Sequence, residues 1–133
     1  MTMFSPHKSF AGTYQQVQVQ TGIEAASGPK LVGMLYDGAL EAISTARGAM
    51  ARGDIELKGR QIARAARIVE EGLLGGLDRD RGGELAANLD RLYRYLARRL
   101  TEANLRNDDA ALGECAALLA PLRDAWSEIE RPA

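Results

Sequence analysis

The stretch Gly76–Asn107, GLDRDRGGELAANLDRLYRYLARRLTEANLRN, says most about how this chain folds. Gly82-Gly83 interrupts the chain, and the carboxylate of Glu84 suits the positive end of a helix that follows. Apolar residues then recur at helical spacing: Leu85, Leu89, Leu92, Tyr93, Leu96 and Leu100. Asn107-Asp108 marks the end of this helix and the start of another. The stretch therefore predicts one amphipathic helix with both ends marked.

Three further apolar stripes with the same spacing surround this helix in the sequence. Ser27 and Asp54 are suitable N-cap residues, and Gly53 and Gly75-Gly76 provide turns. Short connections between long helices favour antiparallel neighbours. The predicted fold is an all-α, antiparallel four-helix bundle with a short N-terminal capping segment. Its predicted helices are 28–52, 55–76, 83–106 and 109–130.

The apolar stripes also predict which side chains form the core. In the second helix these are Ile62, Ala65, Ala66, Val69, Leu73 and Leu77. In the fourth helix they are Leu112, Cys115, Leu118, Leu119, Leu122, Trp126 and Ile129. We expect Leu89, Cys115 and Trp126 to be buried. Pro121 predicts a kink in the fourth helix and not two separate helices, because the apolar stripe keeps its phase across it.

The bundle occupies most of the chain. Residues 1–13 are small, polar and without a hydrophobic period, which predicts a mobile N-terminal tail. Residues 14–133 then form a single helical-bundle domain. Within it, residues 14–26 carry almost no charge and fit a short helical or irregular segment lying on the bundle.

Composition excludes several classes of protein. The formal net charge is −1, so the arginines of the second and third helices predict salt-bridged faces and not a nucleic-acid interface. Charged residues interrupt every apolar run before the ~18 residues of a membrane span, so we expect no membrane insertion. The single cysteine cannot form a disulfide within the chain, and no signal-peptide core is visible. These features predict a cytoplasmic protein.

Side chains suited to catalysis or metal binding are scarce. The only histidine, His7, lies in the predicted tail. Cys115 lies on an apolar helix face without a histidine partner, so it predicts an inert core residue. Glu70 and Glu71 are adjacent on a helix and point in different directions. We therefore predict no enzyme, no cofactor and no metal site.

The first helix is more apolar than a bundle helix needs to be. Val32, Tyr36 and Leu40 recur every four residues on a flank beside its main stripe, and Tyr95 lies similarly beside the stripe of the third helix. Such a widened face either packs against a further element of the protein or leaves a groove for a partner helix. The pattern alone leaves both interpretations open.

Several short motifs, in this order and spacing, resemble the FliS family of flagellin export chaperones over about residues 14–130. The motifs are Tyr14–Val17, Leu31–Ala39, Ala65–Gly72, Gly76–Asp78, Gly82–Glu84, Asn88-Leu89, Leu92-Tyr93, Tyr95, Arg98–Leu100, Ala103-Asn104, Asn107-Asp108 and Ala125-Trp126. One departure is that Gly28 follows the capping serine, where the family usually has proline, and Pro29 comes one residue later.

The resemblance implies a cytoplasmic chaperone that binds the C-terminal region of flagellin. Such a protein prevents premature polymerisation and delivers flagellin to the flagellar type III export apparatus. Val32, Tyr36, Leu40 and Tyr95 would form the flagellin-binding groove. Tyr14 and Val17 would belong to a segment that covers the groove until flagellin displaces it. The protein would be a monomer or a weak homodimer. The alternative is a helical structural or regulatory module that homo-oligomerises through the same flank.

Overall fold

The computed structural model describes residues 28–130, and these form four helices. Helix α1 is Gly28–Arg52, α2 is Ile55–Arg67, α3 is Arg79–Arg106 and α4 is Asp109–Glu130. Helix α2 continues directly into a π-helical segment, Ile68–Leu74. No strand occurs within this part of the chain. The predicted all-α four-helix bundle is confirmed.

The helices form a closed ring in the order α1, α2, α3, α4, and each packs against the two beside it. Cross-helix contacts show that neighbours run antiparallel. Arg47, late in α1, bonds Asp109 at the start of α4, whereas Asp37, early in α1, lies 3.9 Å from Arg123, late in α4. The α1–α2 and α3–α4 faces are therefore opposite each other, as are the α2–α3 and α4–α1 faces.

The turns follow the chemistry expected from the sequence. Gly53 adopts a positive φ of 76°, and the Asp54 side chain then accepts a hydrogen bond of 3.1 Å from the backbone N–H of Leu57. Asn107 ends α3 in the left-handed conformation, which asparagine tolerates. The Asp108 side chain accepts from the N–H of Ala111 at 3.1 Å and caps α4. Ser27, the predicted cap of α1, lies outside the described residues.

Helix α3 begins earlier than predicted. The Asp78 carboxylate accepts a hydrogen bond of 3.1 Å from the N–H of Arg81 and caps a first turn that starts at Arg79. Gly83 then breaks the helix with φ 57° and ψ −132°, a conformation that favours glycine. The prediction placed this break correctly but missed the helical turn before it.

The second helix also differs from its prediction, because residues 68–74 form i→i+5 bonds. Ile68 is buried together with the expected Val69 and Leu73. Gly72 allows this wide turn to approach α1, since a Cβ there would lie 2.9 Å from Cδ2 of Leu35. The π-helical segment thus places more apolar residues against α1 and α3 than the α-helical period predicts.

Small and medium-sized side chains fill the core. Leu89 and Cys115 are buried as predicted. Fully buried side chains include Leu35, Ala39, Ala42, Ile43, Ala46, Ile62, Ala65, Leu73, Tyr93, Leu96, Leu100, Ala103, Leu112 and Leu119. The alanines on α1 let the neighbouring helices approach closely. Helix α4 runs through Pro121 as one element, as predicted, and Pro121 itself is exposed.

One buried charge connects the helices at the end of the bundle that holds the α3–α4 turn. The Lys58 ammonium donates to the Asn104 carbonyl at 3.1 Å and to Oδ1 of Asn107 at 2.5 Å. A cation is favoured there because the last carbonyls of a helix carry partial negative charge. The Lys58 stem packs against the core while its amine caps α3.

Candidate binding surfaces

Two of the predicted groove residues, Val32 and Tyr36, lie in the core and not at the surface. Val32 is 0% exposed and Tyr36 is 3% exposed, and both belong to the main hydrophobic cluster. The Tyr36 hydroxyl lies 2.5 Å from the Tyr93 hydroxyl, and burial raises the pKa of both phenols. This pair joins α1 to α3 across the bundle interior. Val32 and Tyr36 therefore fix the position of α1.

Leu40 lies at a surface groove between α1 and α4. It is half-buried and lines a cavity of 520 Å³. The other lining residues are Ile43, Ser44, Arg47, Ala116, Ala120 and Arg123. The alanines and the serine keep the floor shallow. Arg47 and Arg123 pair with carboxylates at its margins. We call this the α1–α4 groove.

Tyr95 lies between α3 and α4. Its hydroxyl donates to Oε2 of Glu114 at 2.6 Å, and Arg99 donates to the other carboxylate oxygen at 2.8 Å. These hydrogen bonds hold the pKa of the Glu114 carboxyl below its usual range. The bond from Tyr95 contributes most and the bond from Arg99 second. The Arg98 guanidinium lies 5.6 Å from the centre of the Tyr95 ring. These contacts hold the half-exposed ring in place.

Apolar side chains of α3 and α4, on one side of Tyr95 along the bundle, form a partly exposed strip. Leu85 is 55% exposed and Ile129 is 75% exposed. Leu92, Leu118, Leu122 and Trp126 are half-buried and pack against the core from outside. We define the α3–α4 strip as Leu85, Leu92, Tyr95, Leu118, Leu122, Trp126 and Ile129.

Helical spacing places these residues on facing sides of the two helices. Leu92 and Leu85 precede Tyr95 by three and ten residues, so they share its side of α3. Leu118 follows Glu114 by four residues, and Leu122 and Ile129 continue the same side of α4. Since α3 and α4 run antiparallel, both sets extend in the same direction from the Tyr95–Glu114 bond.

The strip corrects several burial predictions, since Leu118 and Leu122 were expected in the core and are only partly buried. Leu85 and Ile129 were expected in the core but are exposed, and Trp126 is only partly buried. Leu85 lies in the first turn after the Gly83 break, and Ile129 lies in the last turn of α4, where no further layer of the described bundle covers them. The sequence contains one indication of this exposure. Helix α4 has more apolar positions than a single core-facing stripe can hold.

The two sequence-predicted surface residues are not brought together. Leu40 faces the α1–α4 groove and Tyr95 faces the α3–α4 strip, on the two sides of α4. Tyr14 and Val17, predicted to cover the groove, lie outside the described residues. Structure therefore gives two neighbouring surfaces where the sequence predicted one groove.

Cys115 and the acidic side chains are the groups to consider for reactive or metal-binding chemistry in residues 28–130. Burial raises the pKa of the Cys115 thiol to about 11, which keeps it protonated and unreactive. Within this range no group of His, Cys, Asp or Glu side chains is placed to hold a metal ion. Nor does any helix in it have an apolar stretch long enough to cross a bilayer. These observations define a helical-bundle protein with partly exposed apolar side chains on both sides of α4.

Comparison with known proteins identifies the family of this bundle. The family described as Flagellar protein FliS matches residues 10–133. The chain belongs to the FliS family, which consists of chaperones and not enzymes.

Individual relatives agree with this assignment. The chain is 44% identical over 116 residues to the flagellar secretion chaperone FliS of Salmonella typhimurium, covering 87% of this chain and 86% of that one. It is 46% identical to the flagellar secretion chaperone FliSB of Pseudomonas aeruginosa, covering 87% and 91%. FliS of Bacillus subtilis is 35% identical, with coverage of 86% and 81%.

Proposed function

We propose that this chain is a cytoplasmic export chaperone for flagellin. It binds the C-terminal region of newly made flagellin, prevents premature polymerisation and delivers it to the flagellar type III export apparatus. The observation that carries the proposal is the exposed α3–α4 strip in a chain of the FliS family. Relatives named flagellar secretion chaperones support a role in flagellar export.

The α3–α4 strip includes apolar residues from Leu85 to Tyr95 on α3 and from Leu118 to Ile129 on α4. A strip that spans several helical turns suits an amphipathic helix of the client. A helix laid between α3 and α4 would cover apolar side chains that water now contacts, and burial of each large one contributes about 1.5–3 kcal/mol. Most of that gain offsets the cost of ordering a flexible terminus. Several exposed anchors are therefore needed, and Leu85, Trp126 and Ile129 supply three of them.

The α1–α4 groove extends the binding surface around α4. A client segment that leaves the strip can pass over the outer face of α4 and place an apolar side chain against Leu40. In this arrangement Leu40 and Tyr95 contact flagellin directly. Val32 and Tyr36 do not contact flagellin in this arrangement but hold α1 in position from within the core.

Residues 14–26 are proposed as the cover of this surface in the free protein, with Tyr14 and Val17 as its apolar contacts. Flagellin would displace the segment. The cover must bind weakly, since each ~1.4 kcal/mol that it contributes lowers client affinity tenfold. Deletion of residues 1–18 should increase dye-accessible apolar surface or dimerisation while helix content is retained. Hydrogen exchange near Tyr14 should rise when flagellin is added, and increased protection there would contradict the displacement.

Leu40→Asp tests the groove. The variant should abolish binding of a flagellin C-terminal segment, measured by isothermal titration calorimetry, with helicity and thermal unfolding nearly unchanged. Leu105→Asp is the matched control, because Leu105 is 80% exposed and lies on neither surface. If Leu40→Asp unfolds the protein, Leu40 belongs to the core and its proposed contact with flagellin is wrong. An obligate oligomer that does not bind flagellin would favour a structural or regulatory module.

A further inference from the structure

A third surface lies between α2 and α3. It consists of two adjoining cavities of 310 and 730 Å³ that share Glu70, Glu71 and Thr101. From Ile62 to Leu74 it follows α2 and the π-helical segment that continues it. We call it the α2–α3 groove.

The floor of the α2–α3 groove is formed by small side chains. Ala63 and Ala66 come from α2, and Ala97 and Thr101 come from α3. Small residues let the backbone of a docked helix approach closely. A floor with so few large apolar groups binds weakly by itself, so the specificity of such a groove must come from its walls.

Opposite charges line the two walls. The wall from the second helix presents Glu70 and Glu71, and the wall from α3 presents Arg94 and Arg98. Each wall also carries one residue of the other sign, Arg67 and Glu102, and these pair on their own helices with Glu71 and Arg99. None of the first four side chains forms an ion pair across the groove. Arg94 pairs with Asp90 on its own helix at 2.6 Å, and Arg98 lies over the Tyr95 ring.

The acidic wall has unused bonding capacity. Among the described residues the Glu70 carboxylate has no ion pair, and it is exposed. The Glu71 carboxylate lies 3.6 Å from the Arg67 guanidinium through one oxygen, and its other oxygen is buried without a hydrogen-bond partner. A buried acceptor without a donor destabilises the protein, and a basic ligand that donates to this oxygen would remove that cost.

The α2–α3 groove is separate from the proposed flagellin surface. It lies on the face of the bundle opposite the α1–α4 groove, and it does not include α4. A helix bound there leaves the α1–α4 groove accessible and meets the α3–α4 strip only at Arg98, whose guanidinium lies over the Tyr95 ring. Two polypeptides can therefore occupy the bundle together.

We propose that the α2–α3 groove docks an amphipathic helix of a second protein, distinct from the flagellin segment. This helix has a stripe of small apolar residues, a basic flank that faces Glu70 and Glu71, and an acidic flank that faces Arg94 and Arg98. The split charge of the walls fixes the orientation of the helix. The inference does not depend on flagellin being the client.

A pair of designed peptides tests the proposed orientation. The probe is a stapled 18-residue helix with an alanine and leucine stripe, lysines on one flank and glutamates on the other. Its control has the same composition with the flanks exchanged. Fluorescence anisotropy at low salt should show at least about tenfold tighter binding of the probe, since charge complementarity is strongest there. Equal binding of the two peptides, or no binding, overturns the proposal.

Variants of the protein locate the site. Glu70→Arg combined with Arg98→Glu should reverse the preference between the two peptides. Ala63→Trp should block both, whereas Ala110→Trp, at an exposed alanine of α4, should leave binding unchanged. Loss of binding in both tryptophan variants would place the peptide elsewhere and contradict the proposal.

Competition and deletion experiments distinguish a second protein's helix from the other possible occupants of the α2–α3 groove. The flagellin C-terminal segment should bind together with the probe, and its displacement of the probe would assign the groove to flagellin. Deletion of residues 1–18 should leave probe affinity unchanged, and a large increase would assign the groove to the chain's own terminus. Probe affinity should also be independent of protein concentration, because a dependence would indicate a second copy of the chain as occupant.

Discussion

Substitution of Ile129 by aspartate tests the α3–α4 strip at its most exposed residue. The side chain is 75% exposed, so the folded protein buries only about a quarter of it. Full burial contributes about 1.5–3 kcal/mol, and the variant should therefore lose only about 0.5 kcal/mol of folding stability. For a domain of this size the melting temperature should fall by about 1–3 °C.

The same arithmetic predicts a larger effect on binding. If flagellin covers the exposed three quarters of Ile129, its loss costs about 1–2 kcal/mol, and desolvation of the new carboxylate increases that cost. Affinity for the flagellin C-terminal segment should fall at least tenfold. Leu85→Asp, at the other side of the strip and 55% exposed, should act in the same direction.

Calorimetric titration and thermal unfolding of each variant separate the two effects. Leu105→Asp is again the control, since it also introduces a charge at a highly exposed leucine. Affinity within twofold of wild type for both Ile129→Asp and Leu85→Asp would refute the strip as a client surface. An equal loss in the Leu105→Asp control would show that added negative charge, and not the strip, weakens binding.

Three further predictions concern the core. Gly72→Ala should destabilise the protein by about 1 kcal/mol in urea unfolding, because its methyl group would displace the buried Leu35 side chain, which more than offsets the higher helix propensity of alanine; unchanged stability would show that Leu35 repacks at little cost. Tyr36→Phe should cost a similar amount by leaving the Tyr93 hydroxyl unpaired, and adding Tyr93→Phe should cost less than a second full penalty. Cys115 should react with a thiol reagent only on unfolding, and rapid labelling of native protein would contradict its burial.

Helical periodicity was sufficient to predict the architecture. The spacing of apolar residues gave the bounds of α1 and α4, and local turn chemistry gave the stops at Gly53 and Asn107. These features depend on residues close together in the chain, so they are visible in its sequence. The order and spacing of short motifs identified the family for the same reason.

Features that depend on distant residues were not predicted. The close approach of Gly72 in the π-helical segment to Leu35, and the contact of Lys58 with a carbonyl at the end of α3, join residues far apart in the chain. The exposure of Leu85 and Ile129 depends on whether another part of the described bundle packs over the ends of their helices. Periodicity shows which side of a helix is apolar, but it does not show which part of that side is covered.

One titration tests whether this bundle holds the C-terminal region of flagellin. The protein is titrated with full-length flagellin monomer and, separately, with flagellin that lacks its C-terminal segment, and heat and stoichiometry are recorded. We expect a 1:1 complex with the full-length chain and no measurable binding of the truncated one. Equal binding of both forms, or binding of neither, would contradict the proposal that this bundle holds the C-terminal region of flagellin.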